Sequence, residues 1–271
     1  IWDAGSGLPV GVPVNPPPGT ISLGYSEIGQ KYATLAGDGG DSGSLASLKG
    51  SDIQVRNEAM QPIGSPLHHD KPVSTFTMTL DGQRVATASE DFQVRIWDTD
   101  TGQQIGKTLD LDELVLSVDF SSDGQNLAVA TIEAVRIWNV DTGEEVGGRG
   151  LMGQDSWILD AAFSPDGSVI ATGGSDGVVH LSDIATGRAI GPGLVGHTMA
   201  VSDVDFSLDG TKLISASADK TIRVWPVPTP SPEKLCDKMT FNMSRESWDM
   251  WVGPDIPYQK LCKDLPIAGE G

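Results

Sequence analysis

Apolar and polar residues alternate along most of this chain in short runs separated by turn residues. Residues 201–207 put Val204 and Phe206 on one face and Asp203 and Asp205 on the other. A period of two places successive side chains on opposite faces, so the run is read as a half-buried strand. Leu208-Asp209-Gly210 signals a tight turn, residues 212–217 form a second strand, Ala218-Asp219-Lys220 a second turn, and residues 221–225 a third strand. A three-stranded unit of this size cannot bury its apolar faces alone, so further copies are expected.

The copies are present. The end of the third strand and its following turn recur as Ile1-Trp2-Asp3-Ala4-Gly5-Ser6-Gly7, Ile96-Trp97-Asp98-Thr99-Asp100-Thr101-Gly102, Ile137-Trp138-Asn139-Val140-Asp141-Thr142-Gly143 and Leu181-Ser182-Asp183-Ile184-Ala185-Thr186-Gly187. Val-Gly or Ile-Gly pairs follow at Val10-Gly11, Ile63-Gly64, Ile105-Gly106, Val146-Gly147 and Ile190-Gly191. Asp-Gly turns recur at 81–82, 123–124, 166–167 and 209–210, with Ile28-Gly29 as a degenerate copy. A large residue stands three places before each Asp position: Tyr25, Met78, Phe120, Phe163 and Phe206. The turn glycines are spaced 53, 42, 43 and 43 residues apart, so the first unit carries an insertion, placed between its second and third strands around 38–44.

With Ser-Pro-Asp-Gly at 164–167, Gly-His at 196–197 and Trp-Asp at 2–3 and 97–98, the repeat resembles WD40 repeats. The resemblance implies an all-β fold, a WD40 β-propeller of four-stranded blades over residues 1–226, with units ending near 3, 55, 97, 138, 182 and 225. That makes five complete repeats plus a partial one. Seven blades are usual in the family, so about 80 further residues are expected upstream of Ile1. Pro226 is expected to stop the last strand. Residues 227–271 read as a Pro-rich linker and a short helical tail, with Ser231-Pro232 as helix-start chemistry. The tail is similar to the ends of actinobacterial proteins in which a WD40 propeller follows a STAND-type NTPase, a TIR domain or a protein kinase, on Leu235-Cys236, Asn242-Met243-Ser244, Trp248, Pro257-Tyr258 and Cys262.

Charge narrows the partners. With 37 acidic against 18 basic residues the net charge is −19. Such a surface repels phosphate backbones and anionic lipid headgroups, which argues against nucleic acid and the membrane surface as partners. No run of about 20 apolar residues is present, so no segment reads as a membrane-spanning helix.

Several constellations invite chemistry. His197, Ser215 and Asp219 have the residue types of a nucleophilic triad. The same offsets recur as His69, Thr87 and Asp91, each set with a Trp (Trp225, Trp97), and recurrence points to scaffold. In the WD40 family these positions form a buried hydrogen-bond tetrad. Unit one has Thr34 and Asp38 with Val55. Unit three has Ala128 and Ile132 with Trp138. Unit four has Thr172 and Asp176 with Gln154 and Ser182. No metal site is expected: His68-His69-Asp70 lacks a third ligand, and the 38–44 loop does not have EF-hand spacing. No cofactor motif is present. Asp110, Asp112 and Glu113 form an acidic loop, read either as solvated or as a patch for a basic partner.

The two cysteines, Cys236 and Cys262, both lie in the tail. A bridge between them would contribute about 3–4 kcal/mol in the chain-entropy picture. It would point to an extracytoplasmic part of a membrane-anchored protein; two reduced buried thiols are the alternative, compatible with the cytoplasm. Arg56, Arg95, Arg136, His180 and Arg223 flank the third-strand Trp position and are candidates for rim contacts, and Trp248 and Trp251 for docking of the tail. The resulting expectation is a non-catalytic protein-interaction or sensor module of a larger bacterial signalling protein. The alternatives are a structural subunit of an assembly, or a propeller-based hydrolase or its accessory domain.

Overall fold

The computed structural model describes residues 20–26, 28–36, 51–151 and 156–227 together with Ser244. The chain divides after Pro226 into two units, and every described strand lies in the first. Among the described residues all regular structure is strand. The tail, with Cys236, Cys262, Trp248 and Trp251, and the opening Ile1-Trp2-Asp3 lie outside the described residues.

Five antiparallel meanders follow one another. The first comprises β1 (Thr20–Ser26), β2 (Lys31–Ala36), β3 (Asp52–Arg56) and β4 (Leu67–His68). The second is β5 (Val73–Met78), β6 (Arg84–Ser89), β7 (Gln93–Asp98) and β8 (Gln104–Asp110). The third is β9 (Val115–Phe120), β10 (Asn126–Thr131), β11 (Val135–Asn139) and β12 (Glu145–Leu151). In the fourth, β13 (Ile158–Phe163), β14 (Val169–Gly174) and β15 (Val178–Asp183) are flanked by a broken outer strand, β16 (Arg188–Ala189) and β17 (Leu194–Val195). The last has three strands, β18 (Val201–Phe206), β19 (Lys212–Ser217) and β20 (Ile222–Pro226). Pro226 ends β20. It is the last residue in its ladder, opposite Lys212.

First strands stack on first strands, β1 on β5, β5 on β9, β9 on β13 and β13 on β18. The chain is thus an all-β fold of propeller blades set face to face. One face of each blade packs on the opposite face of the next. Ala86, Ala88, Val94 and Ile96 of the second blade meet Val118, Phe120, Leu127 and Val129 of the third. Ala128, Ala130, Val135 and Ile137 of the third meet Ile158, Ala161, Phe163 and Ile170 of the fourth. The small alanines on the second strands let adjacent sheets approach, and the bulky first-strand residues fill the space. On the last blade the face that packs forward elsewhere is open. Ile222 is 73% and Val224 58% exposed, whereas their counterparts Val94 and Ile96 are buried.

The turns explain why the repeat keeps its polar signature. In the Ser/Thr-x-Asp-Gly turn the hydroxyl bonds the carboxylate, and both then cap backbone N–H groups. Ser164 Oγ donates to Asp166 Oδ1 (2.6 Å), which accepts Ser168 N (3.1 Å), while Val169 N donates to Ser164 Oγ (2.9 Å). Thr79/Asp81, Ser121/Asp123 and Ser207/Asp209 repeat the arrangement. After the third strand, Asp98, Asn139 and Asp183 accept the N–H of the residue three on, an Asx turn.

Ile28-Gly29 does not copy the Asp-Gly turn. The left-handed residue there is Gln30 (φ 50°), not Gly29. Gly29 is needed for contact instead, because a Cβ on it would overlap the Asp81 carbonyl oxygen of the next blade's turn. Gly29→Ala is therefore expected to cost about 2–3 kcal/mol through overpacking against backbone. Gly167→Ala, at φ 69° with open space around it, should cost about 1 kcal/mol from left-handed strain alone. Urea unfolding of both variants checks the order.

Candidate functional site

The most enzyme-like cluster lies in the last blade. Ser215 sits mid-strand on β19, opposite Arg223 on β20. Its Oγ bonds His197 Nε2 (2.8 Å), and His197 Nδ1 bonds Asp219 Oδ2 (3.0 Å). These are the links of a nucleophilic triad. The Ser215 hydroxyl also accepts Trp225 Nε1–H (2.8 Å), with the indole edge-on to the imidazole at 6.2 Å. Ser215 is fully buried and His197 nearly so. The indole therefore fills the approach that a substrate carbonyl would need, and the hydroxyl's donor and acceptor capacity is spent inside the blade. Asp219 also takes hydrogen bonds from Thr221 and Thr198, which, with the Thr221 bond foremost, hold its carboxyl far below the usual carboxylate range.

The second blade repeats the cluster with one change. Thr87 Oγ1 meets His69 Nε2 and Trp97 Nε1, both at 2.8 Å. The link from His69 to Asp91 runs through Arg95, which donates to His69 Nδ1 (2.8 Å) and pairs with Asp91 (2.8 Å). A guanidinium has only donors, so Nδ1 must be the bare nitrogen and Nε2 carries the proton. With Asp219 as partner, Nδ1 of His197 carries the proton instead. Burial, then the Arg95 charge, push the His69 pKa down to about 4, so the ring is neutral at pH 7.

Residues 60–98, 148–183 and 192–226 match the WD domain, G-beta repeat family. WD40 repeats are thus detected in three segments of the chain. A search of curated proteins found no match. The matched WD40 segments contain the second, fourth and fifth third-strands. Units one and three are unmatched, and both depart from the tetrad in ways that counting along the sequence misplaced.

In unit one the strand register sets Tyr32 opposite Arg56, as Val85 is opposite Trp97. The Trp slot is therefore held by Arg56 and not by Val55, which is a core residue. Arg56 Nε donates to Thr34 Oγ1 (3.1 Å), replacing the indole N–H with a guanidinium N–H. Asp38 lies outside the described residues. In unit three Leu127 is opposite Trp138, which makes Val129, not Ala128, the counterpart of Thr87 and Ser215. The turn after β10 is one residue shorter than in blades two and five, so counting back from Trp138 slips by one. With no hydroxyl in the slot, Trp138 Nε1 is buried without a hydrogen-bond partner among the described residues. In unit four Thr172 and Ser182 hold the two slots and Gln154 lies outside the described residues.

All but one of the rim candidates occupy one column. Arg95, Arg136, His180 and Arg223 each stand opposite the hydroxyl slot, a place that Gln54 takes in unit one, while the fifth candidate, Arg56, lies two residues on in the Trp slot. Arg95 is not a free rim contact, since its side chain is 16% exposed and committed to Asp91 and His69. Arg136 and Arg223 are exposed, with Arg223 over the Trp225 ring at 5.9 Å, and His180 is half-buried. The His68-Asp52 contact is a surface pair, and no metal-binding group of three or more residues occurs among the described residues.

A second recurrent contact did not show in the residue pattern. Asp119 Oδ2 accepts Phe163 N (2.9 Å), and Asp160 Oδ2 accepts Val204 N (2.7 Å). Each carboxylate thereby ties the inner strand of one blade to that of the next. Shielding from water pushes Asp119 up to about 7 and Asp160 up to about 6, and neighbouring Asp205 and Asp203 add to the effect.

Two expectations follow from these contacts. Val129→Thr supplies an acceptor to Trp138 Nε1 in nearly the same volume and should stabilise by about 0.5–1.5 kcal/mol, a gain absent in Trp138→Phe. Asp119 binds its proton more tightly folded than unfolded, so the stability it contributes is present below about pH 4 and is lost as pH rises through about 7. The stability of Asp119→Asn relative to the parent should thus grow from pH 4 to pH 8 in urea titrations.

Proposed function

We propose that this chain is a non-catalytic protein-interaction or sensor module of a larger bacterial signalling protein, a propeller over 1–226 followed by a linker and tail over 227–271. WD40 repeats point in general to protein-interaction scaffolds. The observation that carries the non-catalytic reading is the state of Ser215. It is buried, capped by Trp225 and bonded to His197, so the one triad-like geometry among the described residues serves the blade. Binding then falls to the exposed loops that the tetrads and turns hold in place.

A screen with ester, peptide and phosphate substrates is expected to give no turnover that depends on a residue of this chain. Reproducible turnover lost on Ser215→Ala, with folding intact by circular dichroism, would overturn the reading. A stoichiometric protein complex whose interface maps by hydrogen exchange to either loop face is the positive outcome.

A further inference from the structure

Each blade has two loop ends. One carries the Ser/Thr-x-Asp-Gly turns, whose carboxylates are spent on their own hydroxyls and backbone. The other brings together the loop entering the first strand and the turn between the second and third strands. At this end lie Phe92, Leu114, Ile132, Trp157 and Met199, exposed by 43, 38, 38, 63 and 54%.

These side chains come from four successive blades, and the backbone links them. Leu111 N donates to Phe92 O (2.9 Å), joining the second blade's turn to the third blade's entry loop. The pair Thr131–Val115 sets Ile132 beside Leu114. Ser175 N donates to Trp157 O (2.9 Å), and a Cβ on Gly177, two residues on, would come within 2.9 Å of Met199 O. Phe92 is held at φ 64°, where unit four has Gly177. A bulky residue there costs about 1–2 kcal/mol, and the ring it displays is not buried in return.

The charges among these apolar residues have one sign at the centre. Asp112 and Glu113 adjoin Leu114, and Glu133 adjoins Ile132. None of the three makes a hydrogen bond or ion pair with the described residues. Asp176 is exposed in the next turn and, among the described residues, accepts Val178 N in its own loop. Lys71 and Lys220 stand at the two extremes of the row, in blades two and five, and Arg136 lies one residue into β11. An apolar row interleaved with unpaired carboxylates suits a ligand that brings apolar and cationic groups together.

We propose that this loop end of blades two to five is a docking surface for a basic amphipathic segment of a partner protein. The apolar side chains of that segment cover Leu114, Ile132 and Trp157, and its Lys or Arg residues pair with Asp112, Glu113 and Glu133. The inference rests on the scaffold reading and narrows it to one face and one partner chemistry.

The test uses the full chain and a fluorescein-labelled Leu/Lys amphipathic peptide of about 18 residues, with a Leu/Glu peptide of the same pattern as control, in fluorescence anisotropy. The Leu/Lys peptide is expected to bind saturably and the Leu/Glu peptide not to bind. Leu114→Ser/Trp157→Ser should weaken binding at least about tenfold. Asp112→Lys/Glu133→Lys should weaken it similarly and flatten its dependence on salt. The second pair lies on exposed loops and keeps the test independent of any folding defect in the first. No saturable binding, equal binding of the acidic peptide, or binding unchanged in the charge-reversed variant would each overturn the proposal. A protein partner mapped to the Asp-Gly turns instead would leave the scaffold reading standing and remove this surface alone.

Discussion

A sheet of three or four short strands has two faces, and in this protein both are apolar along their middle rows. Neither face can be buried from within the blade, so each depends on the neighbouring blade. The junction between blades two and three shows the terms: alanines on one side, Val118, Phe120 and Leu127 on the other, all nearly inaccessible to water. Most of the repeat signature serves this stacking. The large residue three places before each Asp-Gly turn is the plug, and the turn chemistry fixes where the plug arrives. Where no described sheet follows, at β20, the same positions stand open.

Polar groups inside such a stack must be satisfied within it, and the tetrads do this by different routes. Ser215 and Thr87 both accept an indole N–H, yet His197 turns to Asp219 while His69 turns to Arg95, with opposite ring tautomers. Arg56 shows that the donor to the hydroxyl slot need not be an indole. Blade three goes without, keeps Trp138 for its volume, and leaves one indole N–H without a partner among the described residues. Such variation is tolerable because apolar contact with two neighbours supplies most of each blade's stability. Asp119 and Asp160 add a direct tie from blade to blade through carboxyl groups whose pKa values burial raises.

Those departures direct attention to the loops. The histidines and hydroxyls of the tetrads are buried, whereas the loops above them differ in sign and in apolar content. Blades three and four, where the tetrad is reduced, carry Asp112, Glu113, Glu133 and Trp157 at one end.

The repeat, the turn positions and the all-β architecture were legible from residue order, since strand alternation, Asp-Gly turns and hydroxyl-carboxylate caps are local chemistry. Register was not. A one-residue deletion between β10 and β11 and the insertion between β2 and β3 displace the count from the Trp slot, and only the ladder pairings assign Val129 and Arg56 to their places. Residue order likewise held no sign that Arg95 would turn inward, that Gly29 serves a neighbouring blade's carbonyl, or that Asp119 and Asp160 cross to the next inner strand. All of these join residues far apart along the chain, and their energies depend on how two sheets meet. Alternation and turn chemistry specify a blade; the meeting of blades specifies which of its side chains remain available to a partner.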